Sequence, residues 1–164
     1  MPIKSLISHR LIYFGCLVIF FCSMVIPAWG ADQRFELQDD GSVKDQQTGL
    51  IWAPQDNGAG ITWLNALTYC KNYSLGNHKD WRMPTAEELA TLYGNSRKNK
   101  GKEDKYIVDL VTDSIRITSP WVWTSRRLPN KKAQVFGFNY GNTRMFFRGK
   151  GMNKRALPVR KAAH

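Results

Sequence analysis

The sequence is short of the side chains on which most site chemistry depends. Its 164 residues hold three cysteines and three histidines. Cys16 and Cys22 lie in an apolar N-terminal run, which leaves Cys70 alone in the rest of the chain. One cysteine makes no internal disulfide, so an exported domain of this kind is held by its core. A His/Cys zinc site would have only His78 and the terminal His164 to draw on, too few ligands for the usual tetrahedral set. A nucleophilic Cys70 would need one of the same two histidines, and the plainer reading makes it a small buried hydrophobe on a helix. No Ser/His/Asp set or metal motif stands out, and Gly149-Lys150-Gly151 is too short for a phosphate loop. There is no internal repeat, no low-complexity tract and no Gly-X-Y series. The length excludes large multidomain enzymes and multi-span transporters and suits one modest domain.

What is present begins with a distinct N-terminal segment. Lys4 and Arg10 precede the uncharged run Leu11–Ile26, Pro27 breaks it, and Ala28-Trp29-Gly30 places small residues at a cleavage site. A basic start, an apolar middle and a small-x-small exit form a secretory signal peptide over 1–30. The alternative is an uncleaved membrane anchor, because the apolar run is nearly long enough to span a bilayer. A lipoprotein signal is disfavoured by Phe21, which stands before Cys22 where a small residue is needed. The mature chain, 31–164, is then a single exported domain, periplasmic or released.

Acidic residues are also scarce: 13 against 24 Lys and Arg, a formal net charge of +11. Residues 31–94 carry five basic and nine acidic side chains, net −4; residues 95–164 carry seventeen basic and four acidic, net +13. Such a division within one domain predicts a basic face that attracts polyanions. Excess lysine can also do no more than keep a surface soluble. The clustering of Arg97–Lys102, Arg126-Arg127, Lys131-Lys132 and Arg144–Arg160 favours an anionic partner.

Hydrophobic patterning predicts an α+β fold. Arg34–Leu37 and Ser42–Lys44 flank the turn signal Asp39-Asp40-Gly41, and Leu50–Ala53 reads as a short buried strand. Thr62 caps a helix whose Trp63, Ala66, Leu67 and Cys70 form one apolar stripe, fading near Asn72–Gly76. Thr85 and Glu88 make a capping box for a second helix, with Leu89, Leu92 and Tyr93 inward and Gly94 as its stop. Adjacent Glu87 and Glu88 point apart on a helix, so they do not form a catalytic carboxylate pair. Asp56-Asn57 reads as turn chemistry in preference to a calcium site. Residues 95–120 read as a long basic connection with one apolar patch at Tyr106–Val111. Trp121–Ser125 is a strand, Gln134–Asn139 and Thr143–Arg148 a hairpin, and Ala156–Arg160 the last strand.

Taken in order, Thr48-Gly49-Leu50-Ile51-Trp52, Asp56-Asn57-Gly58, Trp63…Ala66…Tyr69-Cys70, Asp80-Trp81-Arg82-Met83-Pro84-Thr85…Glu88-Leu89, Trp123-Thr124-Ser125 and Arg155–Arg160 resemble a known domain. It is the C-terminal domain of the Legionella collagen-like adhesin, a widespread bacterial family, and the likeness runs from about Arg34 to Arg160. The run Arg82–Thr85 with Glu88 also looks like a segment of formylglycine-generating enzymes. The resemblance implies a C-type-lectin-like domain, with two helices on a twisted antiparallel sheet and paired N- and C-terminal strands. It further implies binding of sulfated glycosaminoglycans and trimer formation. Without Gly-X-Y repeats a collagen stalk and the trimer it would drive are not implied, although a homo-oligomer stays open. Many relatives carry a cysteine in the final strand, where this chain has Pro158. The formylglycine-generating enzymes use a cysteine pair for copper and oxygen chemistry, and a chain with Cys70 alone has no such ligands. The Trp-Asn-Asp and Glu-Pro-Asn calcium–sugar motifs of animal C-type lectins are absent as well.

The resulting expectation is a non-enzymatic binding domain without metal or cofactor, whose partner is an anionic glycan. Guanidinium forks and ammonium charges meet sulfate and phosphate. Arg126, Arg127, Lys131 and Lys132 flank the bend Leu128-Pro129-Asn130, which would turn both pairs one way. Arg144 and Arg148, four apart on a strand, should project together, followed by Lys150, Lys154 and Arg155. Tyr140, Phe146 and Phe147 offer flat faces, although core packing would claim at least two of them. Trp52, Trp63, Trp81, Trp121 and Trp123 belong to the core. Export argues against nucleic acid as the primary partner. An envelope domain that docks to another protein, or a degenerate relative of formylglycine-generating enzymes, is the competing reading.

Overall fold

The computed structural model describes residues 34–100 and 107–162, so the segment read as a signal peptide lies outside the described residues. The chain opens with a three-strand meander: β1 (Phe35–Leu37), β2 (Val43–Asp45) and β3 (Leu50–Trp52). Gly41 and Gly49, both at positive φ, make its two turns. Two helices follow, α1 (Trp63–Lys71) and the short α2 (Ala86–Ala90). Then come β4 (Tyr93–Lys100), β5 (Ile107–Leu110), β6 (Trp121–Arg127), β7 (Lys132–Gly137), β8 (Asn142–Phe147), β9 (Lys154–Arg155) and β10 (Val159–Lys161). The fold is α+β, as the patterning predicts.

Strands pair into β1-β2-β3-β10, β4-β5 and β8-β7-β6-β9 among the described residues, antiparallel except where β9 joins β6. Of the stretch expected as one strand, Ala156–Arg160, only Val159 and Arg160 lie in a strand, β10; β9 ends before it at Arg155 and belongs to a different sheet. Pro158 separates them, and a residue without an N–H cannot continue a ladder on both sides. The chain thereby carries itself from the second half of the molecule back to β3, the strand it pairs with antiparallel.

Two other expectations are corrected. The second helix ends at Ala90 with Thr91 as its cap, and Gly94 lies inside β4, where a Cβ would collide with the Val111 side chain. The basic connection expected over 95–120 instead contains β4 and β5, paired antiparallel. Its second part is packed, with Ile115 and Ile117 buried and Arg116 bonded through its backbone to Pro54 and Asp56. Alternate isoleucines facing inward are enough to draw such a segment into the core.

The interior has two apolar clusters, all of whose residues fall between Phe35 and Ala162. The larger joins Trp52, Leu89, Leu92, Val122, Phe136, Phe138 and Leu157 across the meander, α2 and the late sheet. The smaller packs Trp63, Ala66 and Cys70 of α1 on Trp123, Ala133 and Val135, while Leu67, expected in the same stripe, is exposed. Two indoles lace that contact: Trp63 Nε1 donates to Thr124 O at 2.9 Å, and Trp123 Nε1 donates to Ile61 O at 2.8 Å. Buried Trp rings with paired N–H groups fix both the distance and the angle of the helix on the sheet.

Candidate functional site

Part of the basic half of the chain gathers beside the smaller cluster. Arg148 is the pivot, through its backbone first. Its N–H donates to Lys131 O at 2.9 Å, and its carbonyl accepts from Trp63 N at 3.0 Å. The bend after β6, the end of β8 and the first turn of α1 are thereby tied side by side. Thr62 caps that turn by accepting from Asn65 N.

Three adjoining concavities result. One of 570 Å³ lies between α1 and the β8 end, lined by Trp63, Leu64, Lys131, Phe147 and Arg148 among others. It shares Phe147 with a second of 460 Å³, which Lys132, Lys150, Met152 and Lys154 also line. It shares Arg148 with a third of 340 Å³, which Arg127, Leu128 and Pro129 complete. Among the described residues six cations line these three hollows and no acidic residue does.

Aromatic rings order the cations. Lys132 lies opposite Phe147 in the β7–β8 register, with Nζ 5.4 Å from that ring centre. The Arg144 guanidinium stands 5.2 Å over Trp121, which meets Phe146 edge-on, and Lys154 Nζ is 4.2 Å from Phe146. Arg148 stands 5.8 Å over Trp63, and its Nε is buried without a hydrogen-bond partner. Ring faces are electron-rich, so each contact holds a cation in place without neutralising it. Burial also lowers the Lys154 ammonium pKa below its usual value.

The expected site residues divide. Arg127, Lys131, Lys132, Arg148, Lys150 and Lys154 line the hollows. Arg144 is exposed at the edge, over Trp121. Arg126 is exposed too, but it does not share the hollow with Arg127; its charge acts on Glu87 at the start of α2. The pairing of β6 with β7 is irregular between Trp123 and Arg127, a break that a dipeptide pattern does not reveal. Arg155 is corrected outright: it is buried, donating from Nε to Thr118 Oγ1 at 2.8 Å and lying 3.9 Å from Asp56 Oδ2. Asp56, read as turn chemistry, does accept from Gly58 N, but it also accepts from Thr118 N at 2.6 Å within the interior.

The aromatics also depart from expectation. Of Tyr140, Phe146 and Phe147, only Phe146 packs inward; Tyr140 and Phe147 are exposed. Trp121 is half-buried, and the other four expected core indoles are buried. Leu64 and Met152 were missed as lining residues. Leu64 carries one sequence signal, since it falls off the apolar stripe of α1 and so must face outward.

For catalysis the described residues offer little. Cys70 is free and buried, and burial pushes its thiol up to about 12. No group of three or more His, Cys, Asp or Glu that could hold a metal occurs among the described residues. No helix among them is long and apolar enough to cross a membrane.

A family model described as the Lcl C-terminal domain matches residues 41–160, a span from just before β2 into β10. No curated protein matches the chain.

Proposed function

The chain belongs to the Lcl C-terminal domain family, and from that premise we propose that it is an exported, non-enzymatic binding domain of C-type-lectin-like fold that holds an anionic glycan. The observation that carries the reading is that, among the described residues, every charged side chain lining the three adjoining hollows is a cation. Six positive groups with no carboxylate among them favour a ligand bearing several sulfates or phosphates. Exposed Phe147 adds a flat apolar face on which the C–H side of a sugar ring can stack. The last strand returns to the N-terminal meander, though it pairs with β3 and not, as expected, with the N-terminal strand β1; that return, with two helices beside antiparallel sheets, supports the lectin-like reading. The signal-like N-terminus supports export.

The test is retention of Ala31–His164 on heparin beside a sulfonate exchanger of matched charge density. The expected result is release from heparin at distinctly higher salt. A variant carrying Arg127→Ala, Lys131→Ala and Lys150→Ala should lose that difference, with a salt slope lower by roughly one per cation removed. Release from both resins at the same salt would show a generic charge effect and defeat the glycan reading.

A further inference from the structure

The same face carries more exposed apolar surface than an anion site needs. Leu64 is 62 % exposed, Phe147 55 % and Met152 79 %, and all three line the two larger hollows that meet at Phe147. We infer that this face docks on the surface of an anionic lipid bilayer. The inference stands beside the glycan reading and does not rest on it.

Three arguments favour lipid over the other occupants. A sugar ring needs a flat partner, which Phe147 supplies; Leu64 and Met152 are aliphatic tips that offer no flat face. Such tips gain free energy by leaving water for the headgroup–acyl boundary. A protein interface is depleted in lysine, yet four of the six lining cations are lysines: Lys131, Lys132, Lys150 and Lys154. Lysine stems can lie along apolar surface while their heads stay with water and phosphate, and Lys132 already stands beside exposed Phe147, its Nζ 5.4 Å from that ring centre. Among the described residues no carboxylate lines these hollows, which suits approach to an acidic leaflet. The association is peripheral: apolar tips at the boundary and cations at the phosphates.

Ala31–His164 contains every residue of both apolar clusters, so it is the species to sediment with vesicles. Phosphatidylcholine vesicles with phosphatidylglycerol should pellet the domain, and phosphatidylcholine alone should not. Replacing Lys131, Lys132 and Lys150 with alanine should weaken partition roughly a hundredfold, from the usual contribution of each cation near an acidic surface. Leu64→Ser with Met152→Ser should weaken it about tenfold, since both apolar tips are lost, while the salt that releases the domain from heparin stays the same. Both serines replace exposed side chains, and an unchanged circular-dichroism spectrum would verify the fold. Equal pelleting with both vesicle types overturns the inference, as does wild-type partition by the serine variant. Heparin preference without pelleting overturns it too and leaves the glycan reading intact. Pelleting without heparin preference does the reverse.

Discussion

Lys154 sits with its ammonium 4.2 Å from the centre of the Phe146 ring and 5.7 Å from that of Trp123, donating to Met152 O. It is largely covered and has no carboxylate partner among the described residues; there, ring faces and one carbonyl hold its charge. Paired carboxylates behave differently. Asp45 is fully buried and accepts from Arg34 Nε and Nη2 at 2.8 and 2.7 Å, from Thr48 Oγ1 and from Gln47 N. Burial alone would push its carboxyl up, but the Arg34 fork and the other donors outweigh it and hold the pKa below 3.8. A carboxyl held low in the folded state stabilises it above the ordinary value. That contribution fades as pH falls past about 4 and is gone below the folded-state value. Asp45→Asn should therefore cost about 3 kcal/mol at neutral pH, because Arg34 keeps a partly buried charge without its counter-ion. Urea midpoints measured from pH 7 to acid should fall more gently for the variant than for the wild type; parallel curves would refute the assignment.

Among the elements, α1 and the segment after β8 meet most closely. A Cβ on Gly151 would lie 2.5 Å from Ile61 O and from Thr62 N, backbone atoms that cannot swing aside. Gly151→Ala should thus push the α1 entrance away from the β8–β9 segment and cost about 3 kcal/mol. Gly149, two residues away, has open space around its missing Cβ and ordinary φ, so Gly149→Ala should change stability by about 0.5 kcal/mol or less. Thermal unfolding of the pair separates a close-approach glycine from a merely local one. Only the second helix shows its anchoring in the sequence: the Thr85/Glu88 capping box is present, with Glu88 Oε2 accepting from Thr85 N at 2.9 Å. The fork that Arg82 adds to Glu88, at 2.6 and 2.8 Å, is not signalled by the box itself. The α1 stripe is equally legible, because period and cap are local properties. The pairing of β4 with β5 is not, since a polar, basic strand lacks the alternation that marks one half-buried.

At the scale of the whole molecule, the basic half divides between surface and interior. Arg155 on β9 reaches Thr118 and approaches Asp56, joining three stretches of chain far apart in sequence. Arg155→Met should lower stability by about 3 kcal/mol, since Asp56 loses a buried counter-charge. The folded variant should leave heparin at the same salt as the wild type, because Arg155 does not reach the surface. A clear drop in that salt would return Arg155 to the ligand face.

Sequence by itself determined the two helices and their N-caps, the late hairpin, the α+β class, the family resemblance and the charge division at about residue 95. Each of these follows from a residue and its near neighbours: a period, a turn signal, a motif or a composition. Only the tertiary structure decided which cations share a face. At the irregular end of β6 only Arg127 of the pair lines a hollow, and the pairing of β9 with β6 leaves Arg155 in the interior against Thr118 and Asp56. Backbone bonds at Arg148 bring Leu64 beside Phe147, more than eighty residues later. A local pattern states that a side chain is basic or apolar. Which side chains become neighbours depends on register between strands and on where a helix docks, and those are fixed by packing across the chain.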